Sequence, residues 1–517
     1  MKKITLIISL AAFFLILLAC KPGTGSEVLS EKHRPQFHFS PDSMWMNDPN
    51  GLVYKDGEYH LFYQYYPNGT TWGPMHWGHA VSIDLVKWEH LPIALYPDTL
   101  GYIFSGSAVF DEFNTSGLGT TENPPLVAIY TYHNMVYEKE GRDDYQTQGI
   151  AYSTDNGRNW IKYSYNPVLT NPGKRDFRDP KVTWHKASQK WIMVLAVNTH
   201  VRFYSSPNLK EWSLESSFGE KEGAHGGVWE CPDLFPLNTE DGEKWVLIVN
   251  MNNGAPNGGS GVQYFTGDFN GITFVNANPP DKIQWLDYGK DNYAGVTWSN
   301  APDSLGQRHL IGWMSNWQYA EKVPTVRWRS ATTVARTLEL KKFGEEFLIV
   351  TKPVEGLKSL RKSMKNIENN IFSGIIPSGN DTCYGFTGEL EIVFQEKNGP
   401  QFGLASDFGI ELKNSLGESL LIGYEPMQKK YFIDRTNAGK TSFSPQFSGR
   451  HYAPAVSGSE IIRMHVLIDV ASVELFADDG LTVMTEIFFP NEDFNMVNLF
   501  ANNGSVKLKS GTMFSYR

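Results

Sequence analysis

Three stretches of the chain repeat one pattern of apolar and polar positions: an apolar strand, a short polar turn and a second strand rich in aromatic residues. The first copy has a mostly apolar run at 51–54, a Lys-Asp-Gly turn at 55–57 and aromatic residues over 59–65. Short apolar runs bounded by turn-forming residues are typical of β-strands. The other two copies occupy 181–197 and 233–250. The pattern therefore predicts a recurring antiparallel β-unit.

A second repeat closes these units, and in it a polar turn leads to a tryptophan. It occurs as Ser82 to Trp88, Ser153 to Trp160 and Ser206 to Trp212. The turn residues predict tight connections, and the tryptophan can cover a small sheet where it meets its neighbour. Several short strands per unit, recurring every few tens of residues, are typical of a β-propeller. In such a fold the first strands of the units line a central axis.

The aromatic repeats stop near residue 330, and the chain beyond a polar connector at 354–368 has strand patterns separated by Asn, Gly and Asp turns. This pattern favours a β-sandwich. The predicted strands are 390–395, 402–405, 419–424, 431–434, 461–469, 472–477, 482–489 and 506–510. We therefore expect an all-β chain, with a β-propeller over 33–345, a linker over 346–365 and a β-sandwich domain over 366–517.

The N-terminal segment predicts export. Two lysines precede an apolar run at 4–19 that is too short for a spanning helix and is typical of a signal peptide. The Leu-Leu-Ala-Cys sequence ending at Cys20 resembles a bacterial lipobox. We predict a lipoprotein signal peptide over 1–20, lipidation of Cys20, a tether over 21–32 and attachment to a bacterial membrane, periplasmic or at the cell surface. The alternative is an ordinary cleaved signal peptide.

Composition narrows the choice of partner. The chain has 517 residues, 41% of them hydrophobic and 14% aromatic, which is ample for two domains with buried cores. Its net charge of -10 disfavours nucleic acid and anionic membranes as partners, so a neutral substrate fits better. Of the 3 cysteines, only two follow Cys20, so no disulfide framework is expected despite export.

Three acidic residues stand in rigid, turn-forming contexts near the starts of the repeated units. Asp48 precedes Pro-Asn-Gly, Asp179 precedes a proline, and Glu230 precedes Cys-Pro. Proline restricts the backbone before it, and Asn-Gly accepts the positive φ of a tight turn. Because the first strands of a propeller converge on its axis, we expect the three acids to meet in one pocket. Three convergent carboxylates favour acid–base or nucleophilic chemistry.

These acidic blocks, Asn47 to Gly51, Phe177 to Pro180 and Trp229 to Pro232, resemble in order those of glycoside hydrolase family 32, the β-fructosidases. Four further blocks resemble the same family, at 72–79, 104–107, 313–319 and 472–476. The resemblance runs from about His33 to the C-terminus. It implies a five-bladed β-propeller joined to a β-sandwich, and hydrolysis of β-fructosyl bonds.

By this resemblance Asp48 is the nucleophile that forms a covalent fructosyl-enzyme, and Glu230 is the general acid that later activates water. Asp179 would hold sugar hydroxyls and stabilise the oxocarbenium-like transition state. Asp233 is the rival acid of the third block, and its alternative role is a structural hydrogen bond. On a regular strand Cys231 would face away from Glu230.

The same resemblance suggests residues that hold the substrate. They are Asn47, Gln64, Trp72, Ser105, Arg178 and Trp317. The alternative for each tryptophan is packing between blades, and for Gln64 it is a buried amide with backbone partners. No cofactor and no metal are predicted, because the sequence has no Gly-rich phosphate loop and the pair His76 and His79 is more typical of structural histidines.

The blocks at 226–235 and 313–319 look more like those of exo-acting bacterial levanases and inulinases than those of plant or yeast invertases. We therefore expect release of terminal fructose from levan or inulin, with sucrose as a second substrate. An endo-levanase or endo-inulinase is the alternative. A sialidase is disfavoured because it needs an arginine triad and a tyrosine nucleophile, and a non-catalytic glycan-binding lipoprotein is disfavoured because all three acids are present. The sequence indicates no oligomeric state.

Overall fold

The structure, a computed structural model, describes residues 31–302, 307–380, 385–396 and 403–516. A five-bladed β-propeller is followed by a β-sandwich, and nearly all regular elements are strands, as the sequence predicts. Within these ranges no helix combines the length and apolar character needed to cross a membrane. Cys20 and most of the predicted tether lie outside the described residues, as does Phe402 at the start of one predicted strand.

Each propeller blade is a small antiparallel sheet whose first strand lies nearest the central axis. The strands of the blades are β1 (Met44–Lys55), β2 (Glu58–Tyr66), β3 (His76–Ser82) and β4 (Glu89–Leu95); β5 (Tyr102–Phe110), β6 (Leu126–His133), β7 (Gln146–Ser153) and β8 (Ile161–Lys162); β9 (Phe177–His185), β10 (Lys190–Val197), β11 (His200–Ser206) and β12 (Ser213–Phe218); β13 (Trp229–Thr239), β14 (Gly242–Met251), β15 (Gly261–Phe269), β16 (Phe274–Asn276) and β17 (Gln284–Trp285); and β18 (Tyr293–Thr297), β19 (Arg308–Met314), β20 (Trp328–Arg329), β21 (Ala331–Thr332), β22 (Arg336–Phe343) and β23 (Glu346–Pro353). Strand β20, which lies between β19 and β22 in the chain, pairs in parallel with β1 and so belongs to the sheet of the first blade. This pairing links the last blade to the first.

The repeated Ser-to-Trp turns connect strands within blades and cap them at the outer side. In the second blade the Ser153 hydroxyl and the Asp155 carboxylate accept backbone N–H groups of the turn, and Trp160 Nε1 donates to the Gly157 carbonyl at 2.9 Å. Trp212 makes the equivalent bond to Leu209 at 3.1 Å in the third blade. These side chains hold the turns because they satisfy backbone groups that no strand partner reaches.

One short helix, α1 (Met135–Lys139), interrupts the strand pattern of the second blade. The side chain of Asn134 accepts hydrogen bonds from the N–H groups of Val136 and Tyr137 and so caps its first turn. Short 3₁₀ turns occur at Ala320–Lys322, Glu355–Leu360 and Asp478–Gly480. Helix α1 contributes Glu138 to the lining of a cavity at one end of the propeller axis.

The sandwich consists of two layers that share one long strand. Its strands are β24 (Ser363–Ile367), β25 (Ile371–Asn380), β26 (Gly388–Gln395), β27 (Asp407–Lys413), β28 (Ser419–Glu425), β29 (Lys430–Asn437), β30 (Arg450–Pro454), β31 (Ile461–Ile468), β32 (Ser472–Ala477), β33 (Thr482–Ile487) and β34 (Met496–Ser515). The first part of β34 pairs with β27 and its second part with β26, so the strand passes from one layer to the other. Buried aliphatic and aromatic side chains from both layers form the core between them.

The fifth blade extends further along the chain than the sequence pattern predicts. Residues 346–365 are predicted to form a linker, whereas the 8 residues of β23 pair with β22 along their whole length. Leu338, Leu340 and Ile349 of this hairpin pack into a core cluster with the fourth blade. The connection to the sandwich therefore begins after Pro353.

Buried ion pairs join the propeller to the sandwich. Arg336 of β22 donates to Glu474 of β32 at 2.5 Å, with both side chains fully buried. His38, ahead of the first blade, lies between Asp469 and Glu474 at 2.8 Å from each. Burial opposes its charge, but hydrogen bonds and attraction to the two carboxylates outweigh burial and raise the pKa of His38 to about 9. Because removal of one member would leave a buried charge unpaired, these groups hold the two domains in one arrangement.

Candidate active site

All five first strands share one irregularity, a local shift of register close to the same end of the propeller axis. The shifts lie between Met46 and Pro49 in β1, Ile103 and Gly106 in β5, Arg178 and Lys181 in β9, Glu230 and Asp233 in β13, and Tyr293 and Val296 in β18. A bulge of this kind bends a strand and redirects side chains that would otherwise alternate. Asp179, Cys231 and Ala294 have positive φ values of 65°, 43° and 52° there. The five blades thus turn side chains toward one point.

Neighbouring polar side chains satisfy the backbone groups that the bulges release from strand pairing. The N–H of Asp179 donates to Thr131 Oγ1 at 2.9 Å. Asn250 donates to the carbonyl of Cys231 at 2.7 Å and accepts from the N–H of Gly295 at 3.0 Å. Because buried backbone groups without partners are destabilising, these contacts support the irregular backbone.

The redirected side chains surround a cavity at this end of the axis. Every substrate or catalytic residue predicted from the sequence lines it, namely Asn47, Asp48, Gln64, Trp72, Ser105, Arg178, Asp179, Glu230 and Trp317. The remaining lining residues were not predicted, and they are Phe104, His133, Glu138, Tyr145, Gln146 and Asp176. The predicted convergence of the three acids is therefore seen, while the roles of the individual residues stay predictions.

Both oxygens of the Asp48 carboxylate are held by hydrogen bonds. Ser105 Oγ donates to Oδ2 at 2.7 Å, and Asn47 Nδ2 donates to Oδ1 at 3.0 Å. Asn47 is itself oriented by Trp45, whose Nε1 donates to its Oδ1 at 2.8 Å. Burial raises the pKa of Asp48, the bonds from Ser105 and Asn47 lower it, and the charge of Glu230 raises it further. The carboxylate is thus presented to the cavity in a single orientation.

Replacement of Ser105 by alanine tests this arrangement. Because the lost bond favours the ionised form of Asp48, the acid limb of the kcat/KM profile is expected to move to higher pH. A hydrogen bond to a charged group contributes about 1.5–3 kcal/mol, so kcat/KM at the acid end should fall by about ten-fold or more. The profile is measured on sucrose, a substrate that the sequence resemblance implies, with a second variant, Ser107→Ala, as control. Ser107 lies on the same strand but bonds to Pro180 and Val182, so an equal displacement in both variants would contradict the assignment.

Asp179 lies beside Asp48 and is joined to it through Cys231. The N–H of Cys231 donates to Asp179 Oδ2 at 3.0 Å, and its Sγ lies 3.5 Å from Asp48 Oδ2 and 3.7 Å from Asp179 Oδ2. Cys231 was expected to face away from Glu230 on a regular strand; the bulge in β13 breaks that regularity, and the side chain contacts the other two acids, Asp48 and Asp179. Burial, together with the neighbouring carboxylates, raises the pKa of the Cys231 thiol well above its usual value, so it stays protonated.

Asp179 is poised between its two ionisation states. Burial raises its pKa to about 7, with Arg178 lowering it and the carboxylates of Glu230 and Asp48 raising it. Arg178 Nε is 3.9 Å from Asp179 Oδ2. A carboxyl group near its midpoint at neutral pH can both donate hydrogen bonds to sugar hydroxyls and accept them from these groups.

Glu230 is held at both of its oxygens by groups from other blades. Arg178 Nη2 donates to Oε1 at 2.6 Å, and the Tyr293 hydroxyl donates to Oε2. A second guanidinium nitrogen of Arg178 donates to Asp176 at 2.5 Å, which orients the arginine. Burial and the charge of Glu230 raise the pKa of Tyr293 well above its usual value, so it stays a hydroxyl donor. Glu230 thus faces the cavity with its orientation determined by two donors.

The sequence offered only one indication that Tyr293 belongs to the site, namely its place at the start of a strand. It begins the first strand of the fifth blade, but the Asp-Pro or Glu-Cys-Pro context that singles out the three acids is absent there. Asp176 comes just before β9 and has a positive φ of 54°, so strand alternation does not predict the direction of its side chain. No local sequence pattern therefore marked Asp176 or Tyr293 as a site residue.

A second group of unpredicted residues forms the wall contributed by the second blade. The rings of Phe104 and His133 are stacked with centroids 4.1 Å apart, and His133 Nε2 lies 3.1 Å from a carboxylate oxygen of Glu138 on α1. Burial lowers the pKa of His133 to about 4, so the ring is neutral. Its Nδ1 accepts from the amide of Gln146 at 3.1 Å. The loop at 134–148, whose course the sequence did not indicate, thus narrows one side of the cavity.

Two glutamine amides in the wall have an atom without a hydrogen-bond partner within the described part of the chain. They are Nε2 of Gln64 and Oε1 of Gln146, and the two residues are 2% and 1% exposed. Buried amide atoms are normally satisfied. A donor and an acceptor are therefore available for hydroxyl groups of a ligand.

Trp72 and Trp317 both line the cavity and also pack against other aromatic rings. Trp72 lies edge-on to Phe104 with centroids 6.0 Å apart, and Trp317 is stacked on Trp45 at 6.1 Å. Each of the two tryptophans therefore packs against other aromatic rings and also has a surface that faces the cavity. The partly buried indoles offer flat apolar walls to a ligand.

Asp233 and the histidine pair have structural partners. Asp233 Oδ2 accepts from the N–H and hydroxyl of Thr297 at 2.6 and 2.8 Å and pairs with Lys181 at 3.1 Å. His76 bonds to the Pro74 carbonyl at 2.9 Å. His79 is buried against His60, with ring nitrogens 3.1 Å apart. None of these three residues lines the cavity.

One cluster on the sandwich has the residue types of a metal site. Glu389, Glu391 and His465 bring their ligand atoms within 4.8 Å of one another. Arg361 Nη2, however, donates to both carboxylates, at 2.6 and 2.7 Å. Because a guanidinium already neutralises these oxygens, the donor set does not suit a metal ion.

Comparison with known proteins agrees with this geometry. The model of the glycosyl hydrolases family 32 N-terminal domain matches residues 38–353, and that of the family 32 C-terminal domain matches residues 356–515. The chain is 49% identical over 493 residues to a levanase of Bacillus subtilis, which covers 94% of this chain and 71% of the levanase. It is 39% identical over 509 residues to an extracellular exo-inulinase of Aspergillus awamori, covering 92% of this chain and 93% of the relative.

Solved structures give the same result. A crystal structure of the exo-inulinase from Aspergillus awamori matches with a TM-score of 0.85 at 36% identity, covering 94% of this chain and 98% of that one. A β-fructofuranosidase from Schwanniomyces occidentalis, complexed with fructosyl-erythritol, matches with a TM-score of 0.81 at 34% identity over the same shares. The resemblance seen in the acidic blocks is confirmed, and the chain belongs to glycoside hydrolase family 32.

Proposed function

We propose that this glycoside hydrolase is an exo-acting fructan β-fructosidase, which releases terminal fructose from levan or inulin and also hydrolyses sucrose, with retention at the anomeric carbon. The observation that carries the proposal is the meeting of Asp48, Asp179 and Glu230, from three blades, in one cavity. The relatives named above, a levanase and an exo-inulinase, support the substrate class. A non-catalytic glycan-binding protein would have no need of the three carboxylates.

In this proposal Asp48 attacks the anomeric carbon of the fructosyl unit. A nucleophile must be oriented before reaction, and the bonds from Ser105 and Asn47 supply that orientation. The fructosyl ester that forms consumes the negative charge of Asp48. Its hydrolysis by water returns the carboxylate and gives fructose with the original configuration.

Glu230 acts on the leaving group. It gives a proton to the glycosidic oxygen in the first step and takes one from water in the second. After the first transfer its carboxylate is stabilised by Arg178 and the Tyr293 hydroxyl, which contact its two oxygens. These donors are in place before reaction, so no rearrangement is needed when the charge appears.

The remaining polar groups hold the fructosyl unit. In this proposal Asp179, whose pKa burial raises to about 7, binds hydroxyl groups of the ring. Gln64 Nε2 is available as a further donor, and Trp72 supplies a flat wall. Hydrogen bonds to sugar hydroxyls that strengthen in the transition state contribute several kcal/mol, of order 3 or more, to catalysis.

The form of the cavity supports exo action over the endo alternative. Side chains from the first, second, third, fourth and fifth blades stand around it, and α1 adds Glu138 at its rim. A pocket with residues from several blades around it suits a chain end, whereas internal cleavage needs a groove open at both ends. Among the residues that the structure describes, no contact specifically favours the endo alternative.

A product time course on levan and inulin tests this proposal. Fructose as the only product at the earliest times is the expected result, and the polymer degraded faster would identify the preferred linkage. An early ladder of oligosaccharides would replace exo by endo action. Absence of products from both polymers and from sucrose would refute the proposed function.

We further propose export and attachment through lipidated Cys20, which lies outside the described residues. The lipobox resemblance supports the anchor, and the extracellular exo-inulinases among the relatives support export. Mass spectrometry of the protein purified from membranes should show a diacylglycerol adduct on the peptide that begins with Cys20. A Cys20→Ala variant that still carries lipid would contradict this assignment.

A further inference from the structure

A second cavity lies at the opposite end of the propeller axis. It shares no lining residue with the first cavity. The late residues of first strands line it, including Phe110 of β5, Trp184 of β9, Phe235 of β13 and Thr297 of β18. Lys181 of β9 lines it only two residues after Asp179, so the deep part of this cavity begins within about 7 Å along the strand from the first cavity, and Trp184 lies further out. The catalytic roles proposed above make no use of this cavity.

The deep part of this second cavity carries a carboxylate with an unused oxygen. Asp233 is 0% exposed and lines the cavity. Its Oδ2 is bound by Thr297 and Lys181, whereas its Oδ1 accepts no hydrogen bond within the described residues. A buried carboxylate oxygen ordinarily accepts at least one bond. Because Lys181 already balances the charge of Asp233, the missing partner is better supplied by a neutral hydroxyl than by a cation.

Aromatic side chains form the outer rim. Phe113 is 68% exposed, and its ring lies 6.2 Å from that of the half-buried Trp184. The loop that presents Phe113 is anchored, since Trp191 Nε1 donates to Thr115 Oγ1 at 2.8 Å and the Asp111 carboxylate accepts from the N–H of Thr115 at 2.8 Å. An exposed phenyl ring on an anchored loop beside an indole is an apolar platform in contact with solvent.

We propose that this second cavity binds a segment of the fructan chain away from the bond being cleaved. Sugar rings present apolar C–H faces, which suit Phe113 and Trp184, and hydroxyl donors, which suit Asp233 Oδ1. The inference rests on the proposed function for the identity of the polymer. A second contact with one polymer raises the effective concentration of its ends at the catalytic cavity, so it benefits long substrates and not sucrose.

The first test is kinetic and uses the full-length protein with Phe113→Ala and Trp184→Ala. Each variant is expected to lower kcat/KM on levan or inulin by about five-fold or more, through a higher KM, while kcat/KM on sucrose stays unchanged. Tyr165→Ala, which removes a 78% exposed aromatic residue that lines neither cavity, is the matched control. The inference would be overturned if the ratio of polymer activity to sucrose activity were the same in the wild type, the two variants and the control.

The second test measures binding without hydrolysis. The inactive variant Asp48→Ala is run in native gels that contain levan or inulin, and its migration should be retarded by the polymer. The double variant Asp48→Ala/Phe113→Ala should be retarded less. Saturating fructose, added to fill the catalytic cavity, should leave this difference in place. Phe113 is mostly exposed, so this variant does not threaten folding. Retardation that is the same with and without Phe113 would overturn the inference, because the polymer would then be held elsewhere. Because the gel reports binding alone, this result is separate from a failure of the proposed hydrolysis.

Discussion

Replacement of Asp48 by alanine is expected to lower kcat on sucrose and on levan by about 10⁴-fold or more. The variant lacks the carboxylate that would form the covalent intermediate, and loss of a nucleophile has effects of this order or larger in other enzymes. The fold should persist, because Asp48 contacts Ser105, Asn47 and Cys231 and supports no buried ion pair. Initial rates and melting temperature of the purified variant would measure both effects.

Two further variants separate the nucleophile from other roles of this carboxylate. Asp48→Asn keeps the volume but removes the negative charge, and it should be as inactive as Asp48→Ala. Asp42→Asn, whose side chain is 82% exposed, is the matched surface control and should retain full activity. Azide added to Asp48→Ala should restore turnover and release fructosyl azide of inverted configuration. Near-normal rates in Asp48→Ala would remove Asp48 from the mechanism.

Replacement of Glu230 by alanine is expected to lower kcat by about 10²- to 10⁴-fold on sucrose and fructans, the range for loss of a general acid or base. The loss should depend on the leaving group. A β-fructofuranoside with an acidic aryl leaving group needs little protonation, so the first step should be nearly normal and the fructosyl-enzyme should accumulate as a burst. Rapid mixing with detection of the released phenol would measure this burst.

The control for Glu230 must account for its partners. Loss of Glu230 leaves Arg178 with Asp176 and Asp179 as its anionic neighbours, so Glu230→Gln is needed as the variant that keeps the shape of the site. Glu211→Gln, at an exposed position in the third blade, should behave like the wild type. An equal loss on natural and aryl substrates would indicate that Glu230 positions the substrate and does not transfer the proton.

The bulged first strands explain why the two residues can act together. Asp48 and Glu230 lie on β1 and β13, and each strand changes register at its acid. A one-residue change of register reverses the faces of the following side chains, so a bulge can add a functional group to the axis without moving the strand out of its blade. Each blade keeps its hydrophobic packing while its first strand contributes one or two polar groups to the site.

Much of this architecture could be predicted from the sequence by itself. The alternation of apolar strands, polar turns and aromatic strands predicted the propeller, because these patterns reflect local backbone preference and burial of one face. Asp48, Asp179 and Glu230 stood out because proline and glycine beside them restrict the backbone within a few residues. The sequence resemblance then indicated the family, which the comparisons confirmed.

Other features were decided only by the tertiary structure. Tyr293 joins the site through a contact with the neighbouring blade, and His133 and Gln146 through contacts with each other and with α1 inside the second blade; no local sequence pattern marks such contacts. Cys231 faces the carboxylates because Asn250 of the next strand holds its bulged backbone, which strand alternation cannot predict. The sequence thus determined the strands and the three acids through local backbone chemistry. Packing of the blades around one axis determined which other groups surround those acids and how a separate cavity forms at the far end.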